Sequence, residues 1–168
     1  MANTFIKIQT VTVGAGGATT IDFNSIPQTY TDLCIKLSFR TNAASTVVDY
    51  VDIRPNNSTS AITARRIQGN GSAAFSASYT SMFLPVAGAS ATANTFGNAE
   101  IYISNYTSSK NKSFSYDAVQ ETNATTAYQE LWSGLWSDTA AITSLIIGNS
   151  GSTIQQYSTA TLYGIKSS

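Results

Sequence analysis

The residues that could carry chemistry are few. Among 168 residues there is no histidine, one cysteine, and nine acidic against nine basic side chains. Without histidine the usual general base, the commonest zinc ligand and the partner in Ser-His or Cys-His catalysis are all missing. Cys34 stands alone, so it forms no internal disulfide, offers no metal-ligand spacing, and reads as a small buried apolar residue. Carboxylates are the remaining acid-base groups. Asp49 and Asp52 are the nearest pair, but three positions apart on a strand they point to opposite faces, and the segment has no calcium-loop signature. A carboxylate dyad assembled across the fold from Glu100, Asp117, Glu121 or Glu130 stays open.

Aromatic and cationic residues offer binding chemistry instead. Trp132 and Trp136, four positions apart, share a face in either a strand or a helix, and with Tyr128 they could form a stacking platform for sugar rings. The competing and commoner fate of Leu131, Trp132, Leu135 and Trp136 is core or subunit interface. Arg65-Arg66 is the only adjacent basic pair and reads as surface or interface charge before it reads as a phosphate clamp. Gly14-Ala15-Gly16-Gly17 lacks the third glycine of a dinucleotide fingerprint, since position 19 is Thr19, and it precedes a strand pattern, so it reads as a hairpin loop. No cofactor or metal is expected. A net charge of zero, with no basic run, argues against nucleic acid or anionic lipid as partner. The N-terminus has no signal-peptide pattern, and no stretch approaches the ~18 apolar residues of a membrane span, so a soluble protein made in a cytoplasm is expected.

The elements that must position these residues are strands. Only 11% of the chain is charged, against about 25% in an average protein. Ser and Thr supply 46 residues, about 27% of the chain, alongside nine Tyr and seven Phe. That composition suits pleated, half-buried surface better than disorder. Residues 5–13 alternate, but Ile6 and Ile8 have the opposite parity to Val11 and Val13, which predicts a bulge or a change of sheet near Gln9 and Thr10. Ile21 and Phe23 mark a short second strand. Residues 32–40 alternate strictly, with Leu33, Ile35, Leu37 and Phe39 on one face. Residues 47–54 follow, interrupted by Asp49, and Pro55-Asn56-Asn57-Ser58 makes a turn.

Residues 58–98 are the least periodic stretch; Phe75, Tyr79 and Met82-Phe83-Leu84 fit one strand or a long loop. Ile101 and Ile103, a polar turn over 105–112, and Phe114, Tyr116 and Ala118 predict a hairpin. Residues 122–130 have room for one helical turn, weakened by threonine. Strands over 131–136, 142–147 and 159–165 close the chain. The sum is a single all-β domain over 1–168, an antiparallel jelly roll or β-sandwich of about eight to ten short strands.

Several segments carry a likeness beyond composition. Ile8-Gln9-Thr10-Val11-Thr12-Val13-Gly14, Ile21-Asp22-Phe23 and the run from Ser25 to Leu33 resemble the start of small virion structural proteins of tailed bacteriophages, especially of aquatic hosts. Ile101-Tyr102-Ile103-Ser104-Asn105-Tyr106, the run from Trp136 to Leu145 and the run from Gln156 to Ile165 are similar to segments of the same proteins. The resemblance implies a non-enzymatic virion component: a capsid decoration or cement protein, a head fibre or a tail fibre. It further implies a jelly-roll module often assembled as a trimer, bound to the major capsid protein or other virion proteins. Its alternative is a tail-fibre module recognising host glycan through Trp132, Trp136 and exposed tyrosines. No catalytic residue is transferred.

Overall fold

The structure, a computed structural model, describes residues 4–121, 127–148 and 151–166. It is all-β, with twelve strands and no helix among the described residues. They are β1 (Phe5–Thr12), β2 (Thr20–Phe23), β3 (Asp32–Phe39), β4 (Val48–Pro55), β5 (Ile62–Gly69) and β6 (Ala74–Tyr79), then β7 (Phe83–Ala87), β8 (Gly97–Ile103), β9 (Lys112–Gln120), β10 (Tyr128–Trp136), β11 (Leu145–Gly148) and β12 (Thr159–Ile165). An eight-stranded sheet has the order β1-β12-β3-β8-β9-β10-β5-β6, and a four-stranded sheet the order β2-β11-β4-β7. Every ladder between these strands is antiparallel.

The pairing is nested: β1 with β12, β2 with β11, β3 with β8 and β4 with β7. The hairpin β5-β6 and the strands β9-β10 extend the larger sheet beyond that nest. Between the sheets lies one core, with Phe23, Ile53, Leu84 and Ile147 from the small sheet and Leu33, Ile35, Ile101, Phe114 and Leu162 from the large one. Each such side chain contributes about 1.5–3 kcal/mol by leaving water.

Local sequence explains most elements. In β3 the alternating Leu33, Ile35, Leu37 and Phe39 all face the core. In β1 the ladder to β12 shifts register between Lys7 and Gln9, which returns Val11 to the inner side despite its parity. The glycine run joins β1 to β2 as expected: the Gly17 N–H donates to Gly14 O at 3.0 Å. Gly17 has φ +69°, and a Cβ there would lie 2.4 Å from the Thr153 side chain, so only glycine fits. The β8-β9 hairpin and β12 lie where alternation places them. Asp49, the interruption in β4, accepts hydrogen bonds from the hydroxyls of Thr41 and Ser152, both at 2.7 Å.

Two expectations need correction. Twelve strands exceed the eight to ten expected, because residues 58–98 hold three whole strands and the start of a fourth in place of one strand or a long loop. The inner face of β5 carries Arg66 and Gln68 among Ile62 and Ala64, β6 is mostly exposed on both faces, and β7 is buried on nearly every residue. None of the three shows a hydropathy alternation. The possible helical turn over 122–130 is the second, for its last three residues alone: Tyr128 to Glu130 are strand, and residues 122–126 lie outside the described residues.

Candidate functional site

The two sheets are unequal, so the β9-β10-β5-β6 end of the large sheet presents part of its inner face at the margin of the small one. Strand register decides what stands there. Arg66 on β5 lies opposite Trp132 on β10 and Ala77 on β6, and Trp132 lies opposite Tyr116 on β9. Trp132 stacks on Tyr116, with centroids 5.6 Å apart and 11° between planes, and meets Tyr79 at 5.1 Å. Tyr79 makes an edge contact with Phe83 of β7 at 5.7 Å.

The Arg66 guanidinium sits over three rings, 5.8 Å from Tyr50, 5.4 Å from Tyr79 and 5.7 Å from Trp132. Its Nη1 donates to the Tyr50 hydroxyl at 2.9 Å and lies 3.6 Å from Glu130 Oε1. Glu130 is fully buried; it accepts from the Tyr50 hydroxyl at 2.8 Å and from Trp132 Nε1 at 2.7 Å. Burial, then the Glu130 carboxylate, holds the Tyr50 phenol well above its ordinary range. Burial does the same to Tyr116, with Glu130 adding to it. Both phenols are therefore fixed as neutral groups, and Tyr50 as a donor to Glu130.

This arrangement lines an open pocket of about 280 Å³ walled by Tyr50, Arg66, Tyr79, Phe83 and Trp132. Tyr50 and Arg66 also line a shallower hollow of about 530 Å³ that includes Ser45, Thr46, Gln68 and Tyr128. Arg66 Nε is buried and has no hydrogen-bond partner among the described residues. An aromatic wall and an adjoining hydroxyl-rich hollow suit a polyhydroxylated ring better than they suit proton transfer.

The residues singled out in sequence separate in space. Trp132, Arg66 and Tyr128 come to this inner-face region. Trp136 does not: it is 2% exposed, inside the core, and its Nε1 has no partner among the described residues, so no Trp132–Trp136 platform exists. Arg65 points to the opposite, outer face and donates to the Ala64 carbonyl at 2.9 Å, because neighbours on a strand alternate. Of the acidic residues, Glu100 and Asp117 are brought together and line a common hollow of about 220 Å³, whereas Glu130 is apart from them, inside. Glu100 and Asp117 are cross-strand neighbours on the outer face, with Lys36 2.9 Å from Glu100. The sequence does not single out Tyr50, and it marks Tyr79 and Phe83 only as strand or loop residues, since the three come from three strands. Glu130 had a signal: it shares parity with Trp132, Gly134 and Trp136 along β10, all buried. Among the described residues no group of three or more His, Cys, Asp or Glu is gathered to hold a metal ion.

The outer face of the large sheet is a second candidate surface. It presents Thr63, Ser76, Ser78, Ser113, Ser115 and Ser133, all exposed. In their midst Ile67 and Leu131 stand directly opposite each other, 61% and 55% exposed. Compared with protein-family models, curated proteins and solved structures, the chain matches none.

Proposed function

We propose that this chain is a non-enzymatic virion structural protein of a tailed bacteriophage, a decoration or cement protein that binds the outer capsid surface as a trimer and stabilises the shell. The observation that carries the reading is the β5-β10 end of the outer face of the eight-stranded sheet, hydroxyl-rich, with the exposed Ile67–Leu131 pair flanked by Arg65 and Asp117 alone among charged residues. Such a face docks on a protein shell without stripping water from many ions, the costly part of burying polar surface. The nested strand pairing, which we read as a jelly-roll wind, and the segment likeness to phage virion proteins support the same reading. The test uses shells of its own phage stripped of the protein. The Ile67→Glu/Leu131→Glu variant should bind them at least tenfold more weakly while its melting temperature stays within a few degrees of the parent. Undiminished binding, or label found only on the tail of intact particles by electron microscopy, overturns the reading.

A second reading, a tail-fibre module that recognises host glycan, is favoured by the Arg66 pocket and its adjoining hollow. It requires saturable binding of soluble host glycan that falls on replacing Arg66 with Met.

A further inference from the structure

We infer that the free edge of β6 pairs, antiparallel and about a two-fold axis, with β6 of a second copy of this chain. Exposed sheet edges are ordinarily protected by charge, proline, a bulge or short length, because their unpaired N–H and C=O groups template another strand. Three of the four edges here are so protected. β1 carries Lys7 and the register shift beside it. β2 is four residues long and includes Asp22, and β7 contains Pro85. β6 has none of these devices: Ala74-Phe75-Ser76-Ala77-Ser78-Tyr79 is uncharged, free of proline and in continuous register with β5. Among the described residues β5 is its only ladder partner.

The side chains name the occupant. From Phe75 to Tyr79 the strand reads aromatic, Ser, Ala, Ser, aromatic, the same in both directions. An antiparallel pairing centred on Ala77 therefore sets like against like: Phe75 against Tyr79 of the second copy, Ser76 against its Ser78, and Ala77 against its Ala77. This is the self-complementarity an isologous contact requires. Phe75, half exposed, then gains an aromatic neighbour on the face where Tyr79 already meets Trp132 and Phe83. The pairing does not rest on the capsid reading. In a trimeric protein it joins copies from different trimers.

Cysteine scanning of the purified chain tests it. Ala77→Cys sets two thiols opposite each other within disulfide reach, and mild oxidation should convert most of the protein to a covalent dimer on a non-reducing gel. Native Cys34 is fully buried and does not compete. Ala74→Cys sets its two thiols about 20 Å apart along the ladder and should stay unlinked. Ala77→Lys, which places two ammonium groups face to face across the axis, should lower the sedimentation mass to that of the assembly without this pairing, with the circular-dichroism spectrum of the parent. A monomeric Ala77→Cys, equal cross-linking of both cysteine variants, or a mass unchanged by Ala77→Lys overturns the pairing.

Discussion

Glu130 is the residue on which the inner-face site depends. A fully buried carboxylate survives only if its lone pairs are occupied and a cation is near, and here the Tyr50 hydroxyl, Trp132 Nε1 and Arg66 meet both conditions. Glu130→Gln removes the charge facing a guanidinium that is itself only 15% exposed. It should cost about 3–5 kcal/mol, read as a fall in the urea midpoint at constant slope. A loss below about 1 kcal/mol would mean that the Arg66 charge is already satisfied by water. Cys34 gives a second test at this scale. Burial, with Glu100 nearby, pushes its thiol from 9.0 up to about 11. The folded chain then holds the proton more tightly than the unfolded chain, so the thiol's contribution is intact below pH 9 and is lost as pH rises toward 11. Relative to Cys34→Ala, the parent should lose up to about 2–3 kcal/mol across that window in denaturant titrations. Parallel pH profiles for the two proteins would refute the shift.

At the scale of elements, the loop over residues 88–96 shows how a segment without a core of its own is held. Arg40, just past β3, donates from Nη1 to the carbonyls of Thr92 and Thr95 and from Nη2 to those of Ala89 and Ala91, at 2.8 to 3.2 Å. Arg40→Ala should destabilise the protein by about 2 kcal/mol and speed amide exchange over 88–96, while the β-ladders keep their protection. Exchange raised evenly over the whole chain would contradict this role. The same scale shows what was legible. β3, β8, β9 and β12 could be read because one of their faces is apolar and the other is not, which period-two alternation reports. β5 could not, because its inner face ends in Arg66 and Gln68 at the site itself, and β7 could not, because a strand buried on both sides has no alternation to read.

For the whole molecule, the unequal size of the two sheets decides which surfaces are left uncovered. A four-stranded sheet cannot cover an eight-stranded one, so the larger sheet keeps an uncovered inner margin at Arg66, a free outer face and an unprotected edge at β6. Composition and alternation determined, from the chain alone, that the fold is all-β, that the glycine run is a turn, that β1 is irregular, by a bulge or a change of sheet, and that Cys34 is buried. Each of these follows from local sterics and from the partition of side chains between water and core. Only the tertiary structure decided that Arg65 and Arg66 face opposite ways, that of two core tryptophans Trp132 alone also walls the pocket, and that Tyr50, Glu130 and Phe83 share that site with Arg66. Those relations depend on which strands lie side by side and in what register, and register is fixed by long-range pairing that no local pattern encodes.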